Sequence, residues 1–555
     1  MNRTEDGDAL PGSRPPVPPP RPAGSSWGPL RRGVFRTLWL AQFVSNIGGW
    51  MQTVGAQWLI TERSGSAGLV ALVPTAASLP ILLLGIPAGA LADILDRRRL
   101  LLLAQGLMFA AAGLLALLTA TGRVNAYGVL LLTFVLGCGT ALMNPAWQAI
   151  QPELVPREEI PAAATLGGVN MNLARAVGPA LGGLVVALAG TAAVFAINAA
   201  SFLVTAAALV RWRPRTETDA LGSERMLPAL RAGHRYVCGS PRIRRILARA
   251  LLFVPAGAAL WALLPVVAER RLGLGAGGYG LLLGAVGVGA VLGAVLLPRA
   301  RGRWSSNTSL AGSGAIFAVG LALLAVVRVP WIAGLALVAT GVAWVGVLSM
   351  LNAQMQVTAP VWVRARALAV YLTVFQGGMA IGSALWGVVA DWTGTAGALL
   401  VAAAVLAVGT AVGWRFAVPD TPLDRTPSLH WPAPVVLLDP AGSDGPVLVT
   451  VEYHVPADRA EEFITAMGPV GRSRRRTGAV DWGLYQDGAH PDVYLEAFLV
   501  ASWDEHLRQH GGRLTGFDRD AEQRARALLD PEHPFQVSHF FPARGQPLPR
   551  RADGG

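Results

Sequence analysis

The sequence predicts an all-α membrane protein of twelve transmembrane helices in two six-helix halves, followed by a small C-terminal α+β domain with a ferredoxin-like order of elements. Three observations carry this. The 555-residue chain is 53% hydrophobic and only 14% charged, with a mean hydropathy of +0.45, whereas a soluble domain carries roughly 25% charged residues. Twelve apolar runs follow one another, each long enough to cross a hydrocarbon core of about 30 Å at about 1.5 Å per residue. The arginines between those runs fall mostly in alternate loops.

Residues 1–29 are rich in Pro, Gly and Arg (PGSRPPVPPPRPAG) and read as a disordered tail with some polyproline II character. The first apolar run, 34–60, is too long for a cleaved signal segment. The others lie near 67–91, 99–120, 125–150, 162–188, 191–210, 246–268, 277–298, 308–327, 331–355, 367–390 and 395–413. Arg31, Arg32, Arg97 to Arg99, the 211–245 segment, Arg299, Arg364 and Arg415 fall on one side, against Arg63, Arg123, Arg270, Arg271 and Arg328 on the other. The positive-inside rule then makes this a multi-pass protein of the cytoplasmic membrane with both termini in the cytoplasm. The net charge of +12 comes from 46 basic residues, all arginine, and membrane orientation explains it better than nucleic acid does. Cys138 and Cys238 supply neither a disulfide framework nor a cysteine metal site.

The stretch Gly89–Arg99, GALADILDRRR, closes the second run and opens the third. So short a turn between two spans makes a hairpin, and its charges lie at one membrane face. Asp93 is placed to bond a neighbouring helix start or an arginine, which makes it, with Arg97, Arg98 and Arg99, a latch that can break and reform. The alternative is a generic hairpin obeying the positive-inside rule. The stretch resembles the signature between the second and third helices of major facilitator superfamily transporters, Gly-x-Leu-Ala-Asp-basic-x-Gly-basic-basic. Gly89, Leu91, Ala92, Asp93, Arg97 and Arg98 match it; Ile94 and Asp96 depart from it.

The basic segment 211–245 separates an N-terminal half, 30–210, from a C-terminal half, 246–415. The halves repeat each other. Asn144-x3-Gln148-x3-Pro152 recurs 208 residues later as Asn352-x3-Gln356-x3-Pro360, and Met171 and Met379 keep that offset. GAVLLPRARGR, Gly293–Arg303, echoes the hairpin stretch 204 residues on, without its aspartate. Parallel halves of this kind place a substrate site between them near the midplane.

Polar residues inside apolar runs point to that site. Gln42, Ser45 and Asn46 share one helical face in the first run; Asn144 and Gln148 lie in the fourth, and Asn352, Gln356 and Gln376 later. Taken together they read as a hydrogen-bonding cavity; taken singly, each reads equally as interhelical glue worth about 0.6 kcal/mol per contact. The fifth run holds Asn170, Asn172 and Arg175, then Gly178-Pro179-Ala180-Leu181-Gly182-Gly183, a bendable and closely packing element that resembles the fifth-helix motif of exporters in the superfamily. Arg175 is the ionisable group placed well inside a span; it reads as a substrate or anion contact, or as a structural arginine satisfied by backbone. Asp93, Glu153, Glu269 and Asp391 sit at span ends, leaving no carboxylate at mid-span. A coupling ion, in many such exporters a proton, therefore lacks an evident central carrier. There is no Gly-x4-Gly-Lys-Ser/Thr nucleotide loop.

With SNIGGWMQ, IPAGALADILDRRRLLL, PELVPREE, ARAVGPALGG and VRARALAVYLTVFQGG in view, the chain after residue 30 resembles the transmembrane secretion effector branch of that superfamily, which includes enterobactin-exporter-like proteins. The resemblance implies a non-enzymatic exporter of a small molecule such as a siderophore or antibiotic, working by alternating access. It implies no cofactor and no resident metal; its partners are the small-molecule substrate, membrane lipid and a coupling ion. The rival readings are a non-transporting membrane sensor, and a transporter fused to a metabolite-binding or enzymatic domain.

Residues 416–445 form a Pro/Asp/Gly linker, and 446–545 a domain on the cytoplasmic side. VLVTVEYHV, AVDWGLYQ, VYLEAFLV and FQVSHFF read as strands. Asp458 with Glu461 and Ser502 with Glu505 suggest helix starts. The order resembles the dimeric barrels of antibiotic-biosynthesis monooxygenases. His506 and His510 are one helical turn apart, but with no third ligand at a recognisable spacing they read as surface histidines. Arg472 and Arg474 to Arg476 read as a solvated face or a contact for anionic lipid heads.

Overall fold

The computed structural model describes residues 27–212, 233–300, 304–419 and 424–543, apart from positions 65, 234 and 361 and several between 425 and 439; of a few helical residues, Asp93 among them, it describes the backbone alone. Most of the expected N-terminal tail and much of the 211–245 linker lie outside the described residues.

Ten long helices make up the first part: α1 (Gly33–Ser64), α2 (Ala67–Ile94), α3 (Arg97–Ala120), α4 (Ala126–Leu154), α5 (Ile160–Arg211), α6 (Pro241–Val266), α7 (Ala276–Ala300), α8 (Ser306–Val326), α9 (Pro330–Thr358) and α10 (Arg364–Gly413). Local chemistry sets their starts. Ser66, Asp96, Asn125 and Ser305 each accept a bond from a first-turn N–H of α2, α3, α4 and α8, and proline stands in the first turn of α5, α6 and α9. Among the described residues nine helical stretches are long and apolar enough to cross a membrane. The first helix falls outside that set, and its polar stripe of Gln42, Ser45, Asn46, Gln52 and Gln57 explains why.

Two helices are too long for one crossing. α5 has 52 residues and α10 has 50, about 75 Å or more at about 1.5 Å per residue, over twice a hydrocarbon core. Each contains one non-helical residue, Gly190 (φ 79°) and Gly394 (φ 73°). This is a left-handed conformation that glycine adopts without steric penalty, and it bends each helix sharply. The two glycines are 204 residues apart, so the internal repeat extends to the backbone.

α5 packs on α1 and on α7, while α10 packs on α6 and on α2, so α5–α7 and α2–α10 join the halves. Ion pairs and hydrogen bonds gather the chain ends of the helices at one end of the bundle: Arg97 reaches Glu153, Arg98 reaches the carbonyls of Leu209 and Val210, and Asn307 reaches Val418. We call this the terminal face. At the opposite face Arg63 donates to the carbonyl of Val124.

The second part is a four-stranded antiparallel sheet under helices. In chain order it runs β1 (Val447–His454), α11 (Ala460–Thr477), β2 (Ala479–Gln486), β3 (Val493–Val500), α12 (Trp503–Arg508), α13 (Gly516–Arg526) and β4 (Gln536–Phe540), with spatial order β2-β3-β1-β4. Val447, Val449, Val451 and Tyr453 alternate inward from β1 onto Phe463, Met467 and Val470 of α11. Ser502 caps α12 as its spacing suggests. Asp458 does not cap α11: it lies in a preceding 3-10 turn, and the helix starts at Ala460 with no side-chain cap.

Candidate functional site

The polar contacts between the halves lie towards the face opposite the termini. Gln57 of α1 donates to the carbonyl of Trp261 on α6 at 2.8 Å and accepts from the Tyr279 hydroxyl of α7 at 2.6 Å. Trp58 stacks on Tyr279, and Trp50 packs against Trp261. Thr75 of α2 donates to the carbonyl of Ala380 on α10, and the Asp391 carboxylate accepts from the Gly68 N–H in the first turn of α2, where a helix dipole favours an anion. At the terminal face, the described bonds of Arg32, Arg97, Arg98, Arg245, Arg249 and Asn307 each stay within one half.

Most of the polar residues named from sequence sit between these two levels; Gln356 lies at the terminal face, two residues from the end of α9. Asn46, Arg175 and Gln376 lie about 12–15 residues from the terminal-face ends of α1, α5 and α10, hence about 18–22 Å deep. Asn144 and Gln148 on α4 are exposed, Asn352 and Gln376 are half-buried, and Gln356 donates to the Asn352 carbonyl oxygen at 2.7 Å. Gln42 and Asn46 are knitted into the N-terminal half: Gln42 donates to Asn46, Asn46 to Asn170, and Asn170 to the carbonyl of Trp39. The Arg175 guanidinium lies 5.4 Å from the Trp50 ring centre, and its Nε is buried without a hydrogen-bond partner among the described residues. Trp50, Trp261, Trp344 and Phe375 form a chain of ring contacts beside it. Nothing in the sequence singles out these rings, because aromatics are scattered through the apolar runs and only the crossing of α1 with α6 brings Trp50 to Trp261.

The glycine motif of α5 divides its faces between two neighbours. A methyl group on Gly178 would lie 2.6 Å from Trp50 Cβ, and one on Gly182 would lie 2.9 Å from Met51 Cα; both face α1. On Gly183 it would lie 2.7 Å from Gly280 Cα of the other half, whose own near neighbour is the Pro179 carbonyl. α5 and α7 thus touch backbone to backbone where the halves meet.

Of the latch residues, the Asp93 side chain lies outside the described residues. Arg97 pairs with Glu153 at 2.5 Å, and Arg98 covers the last carbonyls of α5 at 2.9 and 2.5 Å. Arg99 is exposed, its backbone N–H bonded to Asp96. Among the described residues nothing packs within 4 Å of the place a Gly89 side chain would take.

The C-terminal domain overturns two expectations. Arg474 is not on a solvated or lipid-facing surface: it is 2% exposed, bonded to Glu496 at 2.9 Å and to Glu522 at 2.5 Å. Tyr453 and Trp482 also donate to Glu496, and His430 and Trp431 hold Glu522. Burial alone would raise the Glu522 carboxyl; Arg474, then the His430 and Trp431 bonds, outweigh it and hold it at about 2. Nor is His506 a surface histidine. It is 1% exposed, and His539 of β4 brings a third imidazole to it and His510. Burial, then His510, pushes the His506 imidazole down to about 3. The chain pairing of β4 with β1 places His539 there, and no spacing in sequence announces it. The domain docks at the terminal face: Glu505 pairs with Arg235 of the inter-half segment at 2.9 Å, and Arg513 lies over the ring of Trp362, just before α10, at 4.8 Å.

Comparison with known proteins agrees with this architecture. The family model described as transmembrane secretion effector matches residues 24–546. The multidrug efflux pump Tap of Mycobacterium tuberculosis is 33% identical over 184 residues, 32% of this chain and 42% of that protein. Macrolide efflux protein A of Streptococcus pyogenes is 27% identical over 164 residues, 30% of this chain and 40% of that protein, and the Staphyloferrin A transporter of Staphylococcus aureus is 27% identical over 165 residues, 30% and 42%. The chain thus spans less than half the length of each of these relatives. Among solved structures, a bacterial homolog of the human lysosomal transporter Spinster, inward-facing and unoccupied, superposes with a TM-score of 0.58 at 16% identity, covering 70% of this chain and 97% of that one. The nucleoside transporter NupG gives 0.56 at 13%, covering 69% and 99%; both show the fold alone. The chain belongs to the transmembrane secretion effector family of major facilitator transporters, which are not enzymes.

Proposed function

We propose that this protein exports an amphipathic, ring-bearing small molecule across the cytoplasmic membrane by alternating access. The observation that carries the reading is the one-sidedness of the polar contacts between the halves. They lie towards one face, the Gln57–Tyr279 bond buried and the Gly68–Asp391 bond exposed at the rim, while Asn46, Asn144, Gln148 and Arg175 lie beneath them on the side of the termini. That is the form of a pathway closed outside and open to the cytoplasm. On this reading the bend at Gly190 and the bend at Gly394 each separate two spans, and with α1 the total is twelve, six per half. Both termini and the C-terminal domain lie in the cytoplasm, and the βαββαβ order of that domain is ferredoxin-like.

The substrate would enter among Gln42, Asn46, Asn144, Gln148, Asn352, Gln356 and Gln376. It would stack on Trp50 and Trp261 and present an anionic or accepting group to Arg175, whose Nε lacks a protein partner among the described residues. Closing the inner side would bring the end of α2, with Gly89 and Asp93, against the start of α10, while Gly178, Pro179, Gly182 and Gly183 bend and slide. The multidrug, macrolide and Staphyloferrin A transporters among the relatives support a small-molecule cargo. A proton or another ion would drive the cycle without a mid-span carboxylate. The test is uptake into inside-out vesicles of macrolides, siderophores and dyes, with and without a pH gradient. Gradient-driven uptake of one class that is lost in Arg175→Ala supports the proposal. Absence of uptake, together with metabolite binding by the full chain at the C-terminal domain, favours the sensor reading.

A further inference from the structure

Three imidazoles meet in the C-terminal domain, away from the pathway. His506 Nε2 lies 2.9 Å from His539 Nε2 and 3.2 Å from His510 Nε2. They come from α12, from the turn after it and from β4. His539 stands opposite Val449 in the β1–β4 register, and so on the core face of the sheet. The third histidine is thereby turned inwards, towards α12.

The surroundings orient these rings. His506 Nδ1 lies 3.1 Å from Gln509 Oε1, and Gln509 is itself fully buried and donates to Thr477 Oγ1. An amide oxygen there keeps the proton on Nδ1 and leaves the Nε2 lone pair facing His510 and His539. A hydrogen-bond acceptor on the far ring nitrogen is the usual companion of a metal-ligating histidine. Lone pairs so close repel unless a proton or a cation lies between them. Around a tetrahedral zinc ion, with bonds of about 2.0–2.1 Å, two ligand nitrogens are about 3.3 Å apart; the two spacings from His506 are within a few tenths of an ångström of that, and since the three donor atoms all lie within 4.8 Å of one another, His510 and His539 would draw together on the ion. His510 and His539 are half-buried and leave a way in. Trp503 and Trp431 wall the cluster with apolar rings.

We propose that His506, His510 and His539 bind one divalent transition-metal ion of the zinc, cobalt(II) or nickel(II) kind through their three Nε2 atoms, leaving a fourth position for water or a small anion. An all-imidazole set suits these ions and excludes magnesium and calcium, which take oxygen ligands. The ion would tie β4 to α12, one residue from Glu505, whose pair with Arg235 of the inter-half segment holds the domain against the membrane-embedded part.

The test uses the full-length protein in detergent, purified through a tag without histidine, stripped with EDTA and titrated with Co2+ and then Zn2+. One equivalent of Co2+ should bind with the visible bands of a tetrahedral site and be displaced by Zn2+. His510→Ala and His539→Ala should each weaken binding at least about tenfold, the lower end of what losing a supporting group costs such sites. Their melting temperatures without metal should stay near that of the native chain, and His490→Ala and His533→Ala, at exposed histidines, should bind normally. X-ray absorption of the zinc-loaded native chain should count three imidazoles, which decides the matter even if a variant fails to fold. No stoichiometric uptake by the native chain, fewer than three imidazoles, or uptake undiminished in both variants would overturn the site and leave a chain of histidines sharing protons.

Discussion

Tyr279 of one half gives its hydroxyl proton to Gln57 of the other at 2.6 Å, and both side chains are buried. Tyr279→Phe removes the donor and keeps the ring, so Trp58 still has its stacking partner. The Gln57 oxygen is left buried without that bond, at a cost of about 1–2 kcal/mol. The state closed at this face should lose population by a factor of about 5–30. Spin labels at Ser66 and Leu274, on a cysteine-free background, should report a new long-distance population in the variant. An unchanged distance distribution would show that this bond does not hold the face shut.

The glycines separate two kinds of gate. Gly183→Val puts a branched side chain where a single methyl would already meet the Gly280 backbone at 2.7 Å; backbone cannot yield as a side-chain tip can, so α5 and α7 must part. Gly89→Val meets none of the described residues in this conformation. The first should reduce both thermal stability and transport. The second should leave stability intact and slow transport at equal membrane abundance, because the space it fills is needed only when the inner side closes. Wild-type transport by Gly89→Val, or by Asp93→Asn, would remove this end of α2 from the gate.

Much of this arrangement was legible in the chain. Apolar runs, arginine-bearing loops and the 204- and 208-residue offsets mark the spans and the repeat, because bilayer thickness and positive charge act on local sequence. Ser502 with Glu505 marks a helix start for the same local reason. What sequence hid depends on partners far along the chain. The breaks between apolar runs at 188–191 and 390–395 bracket Gly190 and Gly394, but their left-handed φ, which makes the turn, appears only in the backbone. Trp50 and Trp261 are ordinary aromatics until α1 meets α6. Arg474 reads as surface because two of its neighbours are arginines, whereas its carboxylates arrive from β3 and α13. His539 has no motif, and only strand pairing carries it to His506.

Arg175 should divide binding from turnover. Arg175→Lys keeps a charge but loses the planar guanidinium that lies over Trp50. Arg175→Ala loses both. If the group meets the cargo, Lys should retain part of the affinity for an anionic substrate and Ala should raise KM about tenfold or more, in keeping with about 1.5–3 kcal/mol for a bond to a charged group. Melting curves of detergent-purified variants check the alternative: a purely structural arginine would lower stability in both variants without changing KM.

The buried ion pairs of the C-terminal domain fix its response to acid. Arg474 faces Glu496 and Glu522 with little water near any of them. Arg474→Met leaves two carboxylates buried without their cation, which should cost about 3–5 kcal/mol. Hydrogen exchange of the full chain should then speed up across β1, α11 and β3 while the membrane helices stay protected. The pH dependence follows from the sign of the Glu522 shift. Its carboxyl is held at about 2 in the folded domain, against about 4.3 for an ordinary glutamate. The unfolded chain therefore takes up a proton first as pH falls. The stability contributed by Glu522 is complete above about pH 5 and is lost progressively towards pH 2. Exchange in β1 and α11 should accelerate over that interval, and Glu522→Gln should start from lower stability and lose this part of the slope. A wild-type slope in Glu522→Gln would assign the acid response to another group.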